Sequence, residues 1–297
     1  SITSISKFVT HDKRMLELLT LIDKFDQASR LPGLEFSYFM FYGSLIGSFR
    51  HHSYIPWDDD ADLVLVDAPN VMERVTTAIQ RIDPNLTIVE WKVIRAPKDE
   101  GGIPYKLRLD NKPLLNVDVF RTEVFNGTIK FRCVKSDSHP RYYYINFTMS
   151  DIYPLVRRPF AHLTVNSPRR GDSILERCYK QHYMKMCSYG AYDHMKSTMR
   201  NSRNRNLVPC SRLHKRFPFV SKRKFHWPRQ FGLETLVKEG SPAVHTILFD
   251  RGNEVRRFPG SVSPDDIRFK KFSGGFNVSV TINPKIISMV CDKQGCS

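Results

Sequence analysis

Trp57-Asp58-Asp59-Asp60-Ala61-Asp62-Leu63-Val64-Leu65-Val66 is the stretch on which the fold turns. Gly43 and Ser44 lie upstream, with fourteen residues from Ser44 to the first aspartate. Asp60 and Asp62 stand at i and i+2 in an otherwise apolar run, and on a strand such residues point to one face. Two carboxylates on one hydrophobic face repel each other unless a cation sits between them. Oxygen ligands of this kind suit magnesium or manganese. An acidic triplet alone reads as a turn, and Asp58 and Asp59 are read that way, as the loop that delivers the pair. The upstream Gly-Ser pair and the apolar strand favour the metal reading for Asp60 and Asp62.

A third carboxylate fits the same reading. Residues 114–120, Leu-Leu-Asn-Val-Asp-Val-Phe, are apolar except at Asn116 and Asp118. A carboxylate inside a buried strand is costly unless paired or liganded. Asp118 is therefore the expected third metal ligand; the alternative is a buried Asp satisfied by backbone N–H groups or by Arg108. A short helix is expected over residues 44–50. Its free N-terminal N–H groups at Gly43 and Ser44 suit a phosphate. Arg50, Lys106 and Arg108 are candidate cations for charge developing on that phosphate, and Lys106 and Arg108 share a strand face. Each singly reads equally well as a surface cation. Asp118 also suits acceptance of a proton from an attacking hydroxyl. The set is a parts list for metal-assisted phosphoryl transfer.

Working outward, Met15, Leu18, Ile22 and Phe25 recur at helical spacing and predict a helix over residues 11–28, stopped by Leu31-Pro32-Gly33. Strands are expected at 36–42, 61–66, 86–94, 103–109 and 114–120, with a helix capped by Asn70 and running to Arg81. Residues 121–150 read as a strand-rich insertion. A short strand at 161–165 and a helix over 171–183 follow. Beyond residue 200 the periodicity weakens, and one late strand is expected at 276–282.

The chain has 297 residues and a net charge of +16. No run approaches the roughly 18 apolar residues of a membrane span. Residues 200–229 hold ten Lys or Arg and no acid, interleaved with Phe217, Phe219, Phe225 and Trp227. That pattern keeps polyanions in view as partners, with a glycan-facing or solvated surface preferred over nucleic acid. Four sequons begin at Asn85, Asn126, Asn146 and Asn277, and there are six cysteines. Together these lean toward a secretory-pathway lumen. Cys178, His182 and Cys187, with Cys210 and His214, have spacings compatible with zinc, but disulfides or buried thiols are the preferred reading.

The run Tyr42-Gly43-Ser44-Leu45-Ile46-Gly47-Ser48-Phe49-Arg50-His51-His52, followed by Ile55-Pro56-Trp57-Asp58-Asp59-Asp60-Ala61-Asp62, resembles the signature of the LicD family. That family includes bacterial phosphocholine transferases and the animal proteins fukutin and fukutin-related protein. Leu115 to Phe120 is similar to its later acidic strand, and Tyr153-Pro154-Leu155 with Leu175 to Tyr179 to its closing segments. The resemblance spans residues 36–183. It implies an α/β (α+β) fold: a nucleotidyltransferase-like mixed sheet flanked by helices, here with a basic C-terminal extension. On that reading residues 1–199 are the catalytic domain and 200–297 the extension. The implied reaction moves a phospho-alcohol, ribitol phosphate or phosphocholine, from a CDP-linked donor to a glycan hydroxyl. Asp60, Asp62 and Asp118 would hold Mg2+ or Mn2+, and Gly43, Ser44, Arg50, His51, Lys106 and Arg108 would bind substrate. The alternatives are nucleotidyl transfer proper, or an inactive glycan- or polyanion-binding member. The expected location is the Golgi lumen, with an anchor preceding Ser1.

Overall fold

Apolar residues at three- and four-residue spacing build the first helix of the computed structural model. Helix α1 (Lys13–Ala28) buries Met15, Leu18, Leu19, Ile22 and Phe25. The structure describes residues 13–58, 60–90, 103–112, 115–122, 124–134, 142–179, 182–187, 192–193, 198–199, 208–282 and 285–297. These fall into two compact units: residues 1–155 with 159–212, and 156–158 with 213–297. Among the described residues no helix is long and apolar enough to cross a membrane.

The first unit is organised by a mixed sheet. Its elements in order are β1 (Tyr38–Met40), α2 (Tyr42–His51), β2 (Asp62–Val66), α3 (Val71–Ile82), β3 (Leu86–Glu90), β4 (Ile103–Leu109) and β5 (Asn116–Thr122). The spatial order is β1-β2-β5-β4-β3. Only β2 and β5 run parallel; the other neighbours are antiparallel. All five residues of β2 are buried, as a central strand covered on both faces requires. Helix α3 buries Val71, Val75, Ala78 and Ile79, and α1 packs against it and against β5. Asn70 does precede α3, but through its left-handed backbone (φ 54°) rather than a side-chain cap. The strand expected over 36–42 is shorter because the chain turns into α2 at Tyr42.

The insertion is a three-stranded antiparallel sheet of β6 (Val124–Phe125), β7 (Thr128–Val134) and β8 (Tyr142–Thr148). A capping box at Thr148 and Asp151 opens the short helix α4 (Met149–Ile152). Then come β9 (Val156–Phe160), β10 (Leu163–Ser167) and α5 (Gly171–Tyr179). Four two-residue strands follow: β11 (Met186–Cys187), β12 (Tyr192–Asp193), β13 (Thr198–Met199) and β14 (Val208–Pro209). The disulfide Cys187–Cys210 links the segments carrying β11 and β14.

The second unit is more regular than its sequence suggests. Strands β15 (Phe219–Lys224), β16 (Phe231–Val237), β17 (His245–Asp250) and β18 (Asn253–Pro259) form one antiparallel sheet. Strands β19 (Ile267–Phe272), β20 (Gly275–Ile282) and β21 (Lys285–Cys291) form another. Phe231, Leu233, Leu248, Phe258, Val278, Val280 and Met289 share its core. Only β20 was expected. Several of the others alternate apolar and polar residues in the strand period, as in Ile267-Arg268-Phe269-Lys270. The second disulfide, Cys291–Cys296, closes the C-terminal turn.

Gly47 lets the chain fold back over α2. A Cβ there would lie 2.2 Å from the Ser53 carbonyl oxygen and 3.0 Å from the Ile55 nitrogen. The obstructing atoms are backbone, so the loop that leads to the aspartates would have to move. Gly47→Ala is expected to destabilise the fold by about 1–3 kcal/mol. Chemical denaturation measures this; an unchanged midpoint would contradict the packing described.

Candidate active site

The ladder register creates a row of charge across three strands. Asp62 on β2 is opposite Asp118 on β5, and Asp118 is opposite Lys106 on β4. Paired residues project from the same face, so the three side chains form a line. Lys106 Nζ donates to Asp118 Oδ1 in a largely buried ion pair. The Asp118 amide donates to the Ala61 carbonyl at 2.8 Å, which carries the pairing one residue ahead of β2. One step along the same face, Arg108 is opposite Asn116. Its Nε is buried with no hydrogen-bond partner among the described residues.

Helix α2 points its N-terminus at this row. The Gly43 amide donates to Asp62 Oδ2 at 3.2 Å, and Ser44 Oγ accepts from the Asp62 amide at 2.8 Å. The N–H groups assigned from sequence to a phosphate are thus partly engaged in holding Asp62. Tyr42, with φ 42°, makes the turn into the helix and is packed by the rings of Phe41 and Phe120. A Cβ on Gly43 would lie 2.8 Å from Asp58 Oδ2 and 3.4 Å from Asp62 Oδ2. Only glycine leaves room for both carboxylates.

Asp58 is therefore part of the cluster. Its amide makes the expected turn bond, to the Ile55 carbonyl at 2.8 Å, yet its carboxylate turns toward Gly43. Asp60 lies two residues ahead of Asp62, before the strand begins, and its charge acts on Asp62. Asp59 lies outside the described residues. Two tyrosines that pattern reading leaves unassigned border the group. The buried hydroxyl of Tyr179, at the end of α5, feels Tyr42, Asp62, Asp58 and Asp60. Tyr54 feels Asp60, and its buried hydroxyl has no hydrogen-bond partner among the described residues. No local signal marks either one, since both reach the site through tertiary packing.

Asp62 bears the electrostatic cost of this arrangement. Burial pushes its carboxyl well above the usual aspartate range; Asp60, Asp118 and Asp58 push it further, and the Gly43 N–H opposes them. A carboxyl so placed is either protonated or matched by a cation. Among the described residues no three Asp, Glu, His or Cys side chains stand as a closed ligand set. One reason is visible, since Lys106 holds Asp118. The donor chemistry still fits a hard divalent ion: every candidate is a carboxylate oxygen, and the group gathers at one strand end.

Arg50 has a different role from the one its sequence position suggests. Its guanidinium is buried, with Nη1 donating to the carbonyls of Tyr183 (2.9 Å) and Met186 (3.4 Å). Nε donates to His51 Nε2 at 3.1 Å, and the guanidinium lies over the Trp57 ring. Desolvation lowers its pKa to about 10, opposed by Asp58 and Tyr179. Arg50 thus fastens α2 to the segment carrying Cys187, and the structure does not bring it forward as a free phosphate ligand. His51 is also buried, its ring edge-on to Trp57. The Cys187–Cys210 bond withdraws both of those thiols from the zinc reading. A cleft of about 430 Å³ lined by Asp67, Asn70 and Arg121 lies at the opposite ends of β2 and β5 and contains none of these carboxylates.

Residues 35–170 match the family described as LicD/FKTN/FKRP, nucleotidyltransferase domain. Residues 35–170 are therefore similar to a LicD-family nucleotidyltransferase domain, and the matched segment contains α2, β2 and β5 with all three proposed acids. A domain of that family suggests, in general terms, a phosphoryl-alcohol transferase of glycosylation. No curated protein matches the chain.

The raised Asp62 pKa has a direct consequence. Folding strengthens proton binding there, so this group's contribution to stability is fullest below the unfolded aspartate pKa and is lost as pH rises through the folded value. At neutral pH with chelator, Asp62→Asn is expected to raise the melting temperature by a few degrees, on the order of 1 kcal/mol. A lower melting temperature for the variant under chelation would contradict the crowding of charge described.

Proposed function

We propose that this chain transfers a phospho-alcohol, ribitol phosphate or another phosphoalditol, or phosphocholine, from a CDP-linked donor to a glycan hydroxyl. The observation that carries the reading is the buried Asp62, in register with Asp118 and capped by the Gly43 amide. Asp60, Asp62 and Asp118 would hold Mg2+ or Mn2+, and Asp58 is close enough to join them. When bound, the ion would neutralise charge on the donor pyrophosphate.

The remaining work falls to the protein. Lys106, already at Asp118, and Arg108, whose buried Nε has no partner among the described residues, supply positive charge along β4 for the transferred phosphoryl group. Any amide at the α2 N-terminus not spent on Asp62 faces negative charge favourably. Asp118 accepts the proton of the attacking glycan hydroxyl. The new bond joins the glycan oxygen to phosphorus, the pyrophosphate bridge breaks, and cytidine monophosphate departs.

Glycoconjugate synthesis in a secretory lumen, with the Golgi as the compartment, is part of the same proposal. Two disulfides among the described residues support an oxidising location, and all four sequon asparagines are exposed.

Turnover of a panel of CDP-alditols and CDP-choline with a glycan acceptor tests the reading. Activity is expected to need Mg2+ or Mn2+, to release cytidine monophosphate, and to fall about 100-fold or more in Asp60→Asn and Asp62→Asn. Full activity in both variants would sink the metal role. Release of pyrophosphate would move the chain to nucleotidyl transfer.

A further inference from the structure

The large hydrophobic side chains exposed among the described residues are Leu16, Val124, Phe125, Trp227, Phe272, Ile286 and Val290. Five of these seven lie beside just two of the four sequons. Exposed apolar surface of this kind normally marks something that covers it.

The first case is the β6–β7 hairpin. Asn126 and Gly127 form its two-residue turn, both left-handed (φ 47° and 67°), the geometry an Asn-Gly hairpin favours. Phe125 is 74% exposed and immediately precedes Asn126, and it pairs across the turn with Thr128, the sequon hydroxyl residue. Val124 is exposed next to it. The second case is the outer face of the β19–β20–β21 sheet. Asn277 on β20 pairs with Lys270 on one side and Val290 on the other. Alternation places Ile286, opposite Thr281, and Phe272, opposite Gly275, on that same face. Ile286 is 68% exposed and Val290 46%. Asn277 is itself exposed. Among the described residues, no large exposed hydrophobic lies beside the sequons at Asn85 and Asn146.

We propose that Asn126 and Asn277 carry N-linked oligosaccharides that roof these two apolar patches. The side-chain amide nitrogen bonds to the anomeric carbon of a sugar supplied by a lipid-pyrophosphate oligosaccharide. The sugar–phosphate bond breaks, lipid pyrophosphate leaves, and one amide proton passes to a base of the transferring enzyme. The first sugar on Asn126 lays its C–H face on the Phe125 ring, whose π-face is electron-rich. The sugar on Asn277 lies over Val290 and its neighbours. Each glycan thereby replaces water over apolar surface with a solubilising cover.

The full chain, passed through the secretory pathway of a eukaryotic cell, is treated with peptide N-glycosidase in heavy-oxygen water and mapped by mass spectrometry. Heavy-labelled aspartate is expected at positions 126 and 277 in most molecules. Enzymatic trimming of the folded glycoprotein is expected to raise hydrophobic-dye fluorescence and aggregation severalfold. Phe125→Ser with Ile286→Thr and Val290→Thr should suppress that rise. Unmodified Asn126 and Asn277, or trimming that leaves dye binding unchanged, would overturn the proposal. Both readouts are independent of transferase activity.

Discussion

The parallel pairing of β2 with β5 is the constraint on which the site depends. It sets Asp62 opposite Asp118 inside an otherwise apolar sheet. Parallel strands need a long crossover between them, and α3 with the β3–β4 hairpin supplies it. Because the side-chain period is two, slipping this register by one residue would turn Asp62 away from Asp118 and bring Leu63 to the charged face. The bonds from the Gly43 amide to the Asp62 carboxylate and from the Asp62 amide to Ser44 Oγ oppose that slip.

The other features follow from Asp62 being held where its charge is expensive. Gly43 approaches because no side chain would fit between it and the carboxylates of Asp58 and Asp62. Ser44 takes the Asp62 amide, so strand and helix start are locked together. Arg50 and the Cys187–Cys210 disulfide brace the far end of the same helix. Local backbone strain at Tyr42 and local like-charge repulsion at the acids are both sustained by a large aromatic and aliphatic core. This is the balance expected at a functional site, where stability built elsewhere supports an unfavourable cluster.

Much of this is legible in the chain. Asp118 stands out as a lone carboxylate between Val117 and Val119, and Asp62 as the last of the aspartate run, leading straight into Leu63-Val64-Leu65-Val66; burial cost marks such residues without any structure. Gly43-Ser44 is legible from its place at a helix start. Asp58 is not, because a turn aspartate and a cluster aspartate look alike until the loop's direction is known. Arg50 misleads for a related reason: its partners are backbone carbonyls over a hundred residues away, which no local pattern records. Arg108 is the cation that the sequence offers for Asp118, but the β4–β5 register sets Arg108 opposite Asn116 and pairs Lys106 with Asp118 instead. The sheets of the second unit are less legible because their strands are short and differ in pattern: Ile267-Arg268-Phe269-Lys270 alternates, whereas His245 to Asp250 is buried throughout.

The central claim is that the crowded carboxylates around Asp62 take up one divalent cation in exchange for a proton. Calorimetric titration of the chelated protein with Mn2+, in two buffers of different ionisation enthalpy, reads both events at once. The account predicts a saturable binding event accompanied by proton release at neutral pH, with both signals lost in Asp62→Asn. Mn2+ binding of unchanged affinity and proton release in that variant would contradict it, as would the absence of saturable binding in the unaltered chain.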